Sequence, residues 1–197
     1  MTAIRCDRHW FLTWHTYGTW LPGDERGFVS ALRDETGDAY IRNIPQTRLD
    51  ADRPHLEAWS REKLKCDPVK LTVAHADVLA EQFFETAQFR RWKPIAFAIV
   101  TNHVHLVVGV PGDPDPMKLL RDFKTYGSRA LNRHFPCPES GTWWTELGSK
   151  RKLSDELSIM GAVRYTLEQE GSLLVWNTVI PELNLAEGFS RQGERGT

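Results

Sequence analysis

The strongest constraint on the fold is a pair of apolar segments joined by only two residues. Residues 94–100 (PIAFAIV) and 103–110 (HVHLVVGV) are rich in apolar and β-branched side chains, and the polar pair 101–102 separates them. Short apolar runs joined in this way are typical of an antiparallel β-hairpin. The sequence therefore predicts two neighbouring strands, and the second of them begins with His103 and His105.

The remaining segments predict a mixed sheet with helices. In chain order we predict a strand at 8–16, a short helix near 55–65, a helix from an N-cap at Thr72 to about Trp92 that Pro94 ends, a helix at 116–135, a strand at GTWW (141–144), and a last helix capped by Ser154 and stopped by Gly171. Two helices on one face of an antiparallel sheet make an α+β sandwich of ferredoxin-like type. The strand with the two histidines would be central in that sheet.

Length and composition indicate one globular unit. The chain has 197 residues, which suggests a single domain with a long insertion at about 22–70 and a frayed tail from about 188. Three scattered cysteines, Cys6, Cys66 and Cys137, argue against a disulfide framework or a cysteine-rich zinc site. Because no run is long and apolar enough to span a membrane and the N-terminus has no signal-peptide core, we expect a cytoplasmic protein.

The charge is balanced over the whole chain but uneven along it. The net charge is -1, which argues mildly against a general affinity for nucleic acid. Basic residues are concentrated in the helix predicted at 116–135 and just before the last helix: Lys118, Arg121, Lys124, Arg129 and Arg133, then Lys150, Arg151 and Lys152. Such clusters are either a solvated surface or an electrostatic footprint for an anionic partner.

Two histidines and one tyrosine are the candidate reactive residues. His103 and His105 project from the same face of their strand, so they can share a metal ion or be ordinary half-buried side chains. Tyr165 and Gln169 are four residues apart, which puts them on one helix face away from the apolar stripe. Tyr126 lies on the apolar stripe of its own helix, so we interpret it as a packing residue.

These residues resemble a known family. NHVHLVV, followed after a basic helix by VRYTLEQ, is similar to the single-tyrosine HUH transposases, which include insertion-sequence and REP-associated tyrosine transposases. In that family two histidines flank a large apolar residue, as His103 and His105 flank Val104 here. WFLTWHTYGTWLPGD also looks like the opening of REP-associated members. The resemblance covers roughly residues 8–21 and 70–170.

The resemblance implies cleavage and rejoining of single-stranded DNA at sites flanked by hairpins. Tyr165 would be the nucleophile and form a 5′-phosphotyrosine, while His103, His105 and Gln169 would hold a divalent Mg²⁺ or Mn²⁺ ion. The eight basic residues would contact the DNA backbone. Trp143 and Trp144 could stack on unpaired bases, although we expect at least one of them in the core. Both a monomer and a homodimer are compatible with the resemblance.

Two other functions stay open from sequence. One is a domesticated relative that binds structured or single-stranded DNA without cutting it. The other is a zinc hydrolase that uses His103 and His105 with His134 or Cys137, although a general-base carboxylate is missing beside the histidine pair.

Overall fold

A computed structural model describes residues 6–22, 24, 31–33, 39–41, 54–179, 186 and 188–191. The strands are β1 (Arg8–His15), β2 (Ala31–Arg33), β3 (Ala39–Ile41), β4 (Lys93–Val100), β5 (His103–Val110), β6 (Ser149–Leu153), β7 (Ser172–Asn177) and β8 (Gly188–Arg191). The helices are α1 (Pro54–Glu62), α2 (Val73–Arg90), α3 (Pro116–His134) and α4 (Glu156–Leu167).

Six strands form one antiparallel sheet in the order β6-β1-β5-β4-β7-β8. The elements β1, α2, β4, β5, α3 and β6 alternate as in a ferredoxin-like sandwich, and β5 lies between β1 and β4. The α+β prediction and the central place of the histidine strand are therefore confirmed. Beyond this unit, β7 and β8 extend the sheet past β4.

The two faces of the sheet are covered by different helices. Along β5, Val104, Leu106 and Val108 belong to the large apolar core that includes residues of α2 and α3. Val107, which points the other way, packs in a smaller cluster with Val163 of α4. The predicted arrangement of helices on one face holds for α2 and α3. The last helix, α4, covers the opposite face because its apolar residues pack on that side of β4 and β5.

The predicted strand at 141–144 is wrong. Trp143 and Trp144 are both buried and only a single bridge, between Thr16 and Trp144, joins this segment to β1. A strand turns successive side chains to opposite faces, whereas both indoles here reach α3: their N–H groups donate to Asn132 Oδ1 at 2.7 Å and to the Lys124 carbonyl at 3.1 Å. The edge strand is instead β6, whose charged residues are typical of a sheet edge.

Two helix boundaries also differ from the prediction. The N-cap of α4 is Asp155, not Ser154, because the Asp155 carboxylate accepts a hydrogen bond from the Ser158 N–H at 2.8 Å. Helix α2 ends at Arg90, before Pro94 could interrupt it, since Arg91 adopts a left-handed conformation with φ 58° and turns the chain into β4.

The insertion and the tail are partly described. Within the segment 22–70, the predicted short helix is confirmed as α1, and β2 pairs with β3 in a small hairpin; the rest lies largely outside the described residues. The tail predicted to be frayed from about 188 is wrong at 188–191, because β8 pairs with β7 and Arg191 forms an ion pair with Asp77 at 3.0 Å. In the described ranges, no helix has the length and apolar character needed to cross a membrane.

Candidate active site

The two histidines of β5 lie on the sheet face that α4 covers. Their ring centroids are 4.6 Å apart, as expected for residues two apart on one strand. His105 is buried and His103 is half-buried. The pair is therefore enclosed on one side and open on the other, as a metal or substrate site requires.

Each histidine has a hydrogen bond at Nδ1 that orients its ring. His103 Nδ1 donates to the side-chain oxygen of Asn102 at 2.7 Å, and a 2.8 Å hydrogen bond joins His105 Nδ1 to Thr13 Oγ1. A neutral imidazole with its proton on Nδ1 carries its lone pair on Nε2, the nitrogen that would hold a metal ion. Asn102 thus fixes both the ring and the tautomer of His103, while Thr13 fixes the ring of His105.

Burial keeps His105 neutral. It lowers the pKa of His105 to about 3, with further lowering from His103 and His15, while a hydrogen bond with Gln169 acts in the opposite direction. A neutral imidazole is the form that binds metal ions, and no proton has to leave before binding at neutral pH.

Tyr165 reaches this site from α4. Its ring lies edge-on to His105, with centroids 5.3 Å apart, and edge-on to Phe11 at 5.9 Å. Its side chain is nevertheless 53% exposed. An exposed tyrosine beside two oriented histidines can meet a substrate from solvent, whereas a core tyrosine could not.

Gln169 comes near the histidines from a position beyond the helix. Helix α4 ends at Leu167, so the prediction that Tyr165 and Gln169 share one helix is wrong. The Gln169 amide nitrogen donates to the Tyr165 carbonyl at 3.0 Å, which caps the end of α4. The hydrogen bond of Gln169 with His105 still puts these three side chains in one cluster.

Strand β1 supplies three site residues that the sequence did not reveal. Phe11, Thr13 and His15 alternate with the core tryptophan and leucine residues of β1 and share the face of the β5 histidines. Phe11 stacks on His105 at 5.3 Å, and His15 lies directly across from His103, with centroids 5.6 Å apart. The alternation of RHWFLTWHT could have indicated this face, but not its partner strand.

The predicted basic cluster before α4 is divided between the two faces. In the pairing of β6 with β1, Arg151 is opposite Phe11, so it shares the face of the histidines. Lys150 and Lys152 point to the other face, where Lys150 lies against Met117 and Lys152 forms an ion pair with Asp113 at 3.5 Å. Of these three residues, the structure brings only Arg151 to the site, and we exclude Lys152 from the predicted DNA contacts because its charge is already paired with Asp113.

The basic helix lies on the far side of the sheet. Because α3 packs with α2 against the opposite face, it does not approach the histidines or Tyr165. Arg133 donates to Gln82, and Arg129 lies over the ring of Tyr126. Together with Lys118 and Arg121, these residues remain predicted DNA contacts. Any such contact would lie away from the face that presents His103, His105 and Tyr165, which we call the reactive face.

Lys124 has a structural role that the sequence did not predict. Its ammonium donates to the backbone carbonyls of Thr145, Glu146 and Leu147, at 2.6, 2.8 and 3.4 Å. Burial lowers the pKa of Lys124 to about 8, with Glu146 opposing this effect. Since its hydrogen bonds hold the loop that precedes β6, we exclude Lys124 from the predicted DNA contacts.

The structure also shows where the other candidate tyrosine and the candidate zinc ligands lie. Tyr126 is partly buried in a groove between α2 and α3, in agreement with a packing role. His134 and Cys137 are exposed at the end of α3, away from the β5 pair. Within the described ranges, no three His, Cys, Asp or Glu side chains converge to hold a metal ion, so the zinc hydrolase has no support.

A divalent ion fits the donor set of the site. His103 and His105 present oriented imidazoles, and Gln169 would add an amide oxygen, a donor type that lies outside the His, Cys, Asp and Glu groups considered above. Imidazole together with oxygen donors suits Mn²⁺ and, less well, Mg²⁺.

The histidine pair lies in a segment whose sequence matches a known protein family. Residues 68–150 match the family model described as "Transposase IS200 like". The sequence of this segment is therefore similar to that of the IS200-like transposases, in agreement with the family predicted from the sequence. The matched segment includes His103 and His105 and ends before α4 and Tyr165.

One solved structure and the curated proteins complete the comparison. The structure of a REP-associated tyrosine transposase bound to a REP hairpin is similar to this chain, with a TM-score of 0.46 and 12% sequence identity over 84% of this chain and 68% of the other. No curated protein sequence matches the chain.

Proposed function

We propose that this protein cleaves and rejoins single-stranded DNA as a transposase, with Tyr165 as the nucleophile. The observation that carries the proposal is the position of Tyr165: it is 53% exposed and lies against His105 on the face that also presents His103. The match of residues 68–150 to IS200-like transposases supports DNA as the substrate.

The proposed reaction exchanges one phosphoester for another. The Tyr165 oxygen attacks phosphorus, a P–O bond forms to the tyrosine, and the bond to the 3′-oxygen breaks. The phenol loses its proton, and the departing oxygen gains one to become a free 3′-hydroxyl. Because no water is consumed, a 3′-hydroxyl can later attack the phosphotyrosine, restore a DNA phosphodiester and release the tyrosine.

The residues around Tyr165 contribute orientation and charge neutralisation. Thr13 and Asn102 hold the rings of His105 and His103, and Phe11 packs against Tyr165 and limits its rotation. A divalent ion bound to His103, His105 and Gln169 would supply Lewis-acid stabilisation of charge on the phosphate oxygens.

Trapping of the covalent adduct tests the proposal. The protein is incubated with single-stranded DNA from the flanks of its own gene, with Mn²⁺ or with EDTA, and the denatured product is analysed by gel and mass spectrometry. We expect a protein–DNA adduct on the peptide that contains Tyr165, formed only with the metal ion. Tyr165→Phe removes one exposed oxygen, so folding should survive and the adduct should vanish.

Tyr126→Phe is the matched control, because it removes the same atom from a tyrosine on the other face of the sheet. This variant should form the adduct as the wild type does. An adduct on any other residue would overturn the role of Tyr165. DNA binding without any adduct in the wild type would instead support the domesticated DNA-binding protein.

A further inference from the structure

Phe11 is in contact with three side chains that carry polar groups on the reactive face. Its ring stacks on His105 at 5.3 Å and meets the edge of Tyr165 at 5.9 Å. From the neighbouring strand, the Arg151 guanidinium lies over the same ring, 5.5 Å from its centroid. The sheet thus places one cationic side chain beside the tyrosine and the histidine pair.

The position of Arg151 follows from the register of β6. Arg151 is opposite Phe11, and Leu153, two residues later, packs into the cluster beneath α4. Lys152, which lies between Arg151 and Leu153 in the chain, is opposite Trp10 and lies over the Trp10 ring on the far face. The direction of Arg151 is therefore set by the strand and not by a flexible loop.

Arg151 also differs from its neighbour Lys152 in its charge environment. Lys152 is paired with Asp113 at 3.5 Å. For Arg151, no carboxylate among the described residues lies within ion-pair distance, and its side chain is exposed. The guanidinium lies over the Phe11 ring, as expected for a cation–π contact, and such a contact occupies none of its N–H donors.

We propose that Arg151 binds a backbone phosphate of the DNA strand next to the bond that Tyr165 attacks, and so positions the scissile phosphate at the tyrosine. This inference rests on the proposed function. Arginine suits the role because its planar fork donates two parallel hydrogen bonds to phosphate, which fixes the orientation of the strand as well as its charge. The exposed tyrosine then meets a strand held at a neighbouring phosphate.

Binding is measured first, in the Tyr165→Phe background, so that no cleavage occurs. Fluorescein-labelled single-stranded oligonucleotides that tile the flanks of the gene are titrated at several salt concentrations. Arg151→Ala should weaken binding about tenfold or more, because a charged hydrogen-bonded contact is lost. The slope of log K against log[salt] should become shallower by about 0.7, the value for one phosphate contact on a single strand.

Lys152→Ala is the matched control, because it removes the same charge from the adjacent position on the far face. It should leave the salt slope unchanged. Arg151→Lys keeps the charge and much of the stem over Phe11 but loses the fork, so its affinity should lie between those of wild type and Arg151→Ala. If the Tyr165→Phe protein has the same salt slope with and without Arg151→Ala, the proposal is overturned.

Cleavage then locates the contact. Single phosphates around the mapped cut are replaced by uncharged methylphosphonates, and the cleavage rates of wild type and Arg151→Ala are compared. We expect the cleavage rates of wild type and Arg151→Ala to become equal only when the phosphate adjacent to the cut is replaced. Equal rates after replacement of a distant phosphate, or unequal rates at every replaced position, would overturn the proposal. If the wild type binds DNA but does not cleave it, the proposed function fails and the salt slopes alone decide the role of Arg151.

Discussion

At the scale of single residues, the most informative difference between sequence and structure is Lys124. In the sequence it is one of a row of basic residues in α3, and nothing distinguishes it from Lys118 or Arg121. In the structure its ammonium bonds to three consecutive carbonyls, whereas Lys118 is exposed. A pattern of charges cannot reveal such a role, because the carbonyls belong to a loop that is distant in sequence.

The role of Lys124 gives a prediction about stability. Lys124→Met keeps the apolar stem but leaves the carbonyls of 145–147 without their donor. We expect the free energy of unfolding to fall by about 1–2 kcal/mol, because the partly buried Thr145 carbonyl loses a charged donor while the exposed carbonyls of Glu146 and Leu147 can bind water. Urea unfolding measures the change, and Lys118→Met, which removes an exposed lysine of the same helix, should stay within about 0.5 kcal/mol of wild type. A Lys124→Met protein as stable as Lys118→Met would show that the three bonds contribute little.

The reactive residues could be predicted from sequence to different degrees. His103 and His105 follow from alternation along a strand, and the two residues are indeed side by side. Phe11, Thr13 and His15 could not be assigned, because strand pairing between distant segments decides which side chains meet. For Gln169, the resemblance implied a position near the histidines, whereas the helix predicted from its spacing to Tyr165 is wrong because α4 ends at Leu167.

At the scale of elements, the start of α2 depends on a histidine. The Thr72 N–H donates to His75 Nδ1 at 3.1 Å, and Thr72 Oγ1 bonds to the same nitrogen at 2.6 Å. Burial lowers the pKa of His75 below its ordinary value of 6.5. The neutral ring therefore takes the role that a Glu or Gln has in a capping box, because only an unprotonated Nδ1 can accept the backbone N–H.

This cap should make stability depend on pH. Because the pKa is lower in the folded state, the unfolded chain takes up a proton at His75 first, and stability falls as the pH drops below about 6.5. His75→Gln keeps an acceptor but does not titrate, so it should lose less stability than wild type between pH 7 and pH 5. Urea unfolding at both pH values measures this difference; equal losses in the two proteins would contradict the role of His75.

Helix α4 contains a glycine whose removal should be favourable. A Cβ at Gly161 would meet no atom within 4 Å, and the residue is exposed in the middle of the helix. Gly161→Ala should therefore stabilise the protein by about 0.5–1 kcal/mol, because alanine loses less backbone entropy in a helix. Thermal unfolding measures the gain.

Gly127 in α3 provides the comparison for Gly161. A Cβ at Gly127 would lie 3.0 Å from Leu79 Cδ2 in the packed α2–α3 interface, so Gly127→Ala should show no such gain. If Gly161→Ala is less stable than wild type, or if both variants gain equal stability, free space around the new methyl group does not determine the effect of the substitution.

At the scale of the whole molecule, the proposed function predicts which form of DNA should react. Tyr165 and Arg151 lie on the α4 face of the sheet, and both contact Phe11 of β1, the strand between β5 and β6. A phosphate must come close to the tyrosine in an attackable conformation, which a paired and stacked duplex opposes. We expect cleavage of single strands, including those flanked by hairpins, and none of fully paired duplex. Equal cleavage rates on labelled single-stranded and duplex forms of one sequence would refute this expectation.

The sheet was more predictable than the arrangement around it. Apolar runs and turn residues predicted β1, α2, β4, β5, α3 and α4 in the right order, because these patterns are local. The sequence did not predict which face α4 covers, and the strand predicted at 141–144 is a loop held by two indole hydrogen bonds to α3. Both outcomes depend on contacts between segments distant along the chain, which periodicity does not contain.

The hydrogen bonds of Lys124 should limit insertions and deletions in the loop before β6. The loop that they hold leads directly into β6, where Lys150, Arg151 and Lys152 alternate between the two faces. A shift of β6 by one position would exchange the arginine for a lysine at the reactive face, although the composition and net charge of the protein would hardly change. Insertions or deletions of a single residue between 145 and 150 are therefore expected to be selected against more strongly than substitutions there.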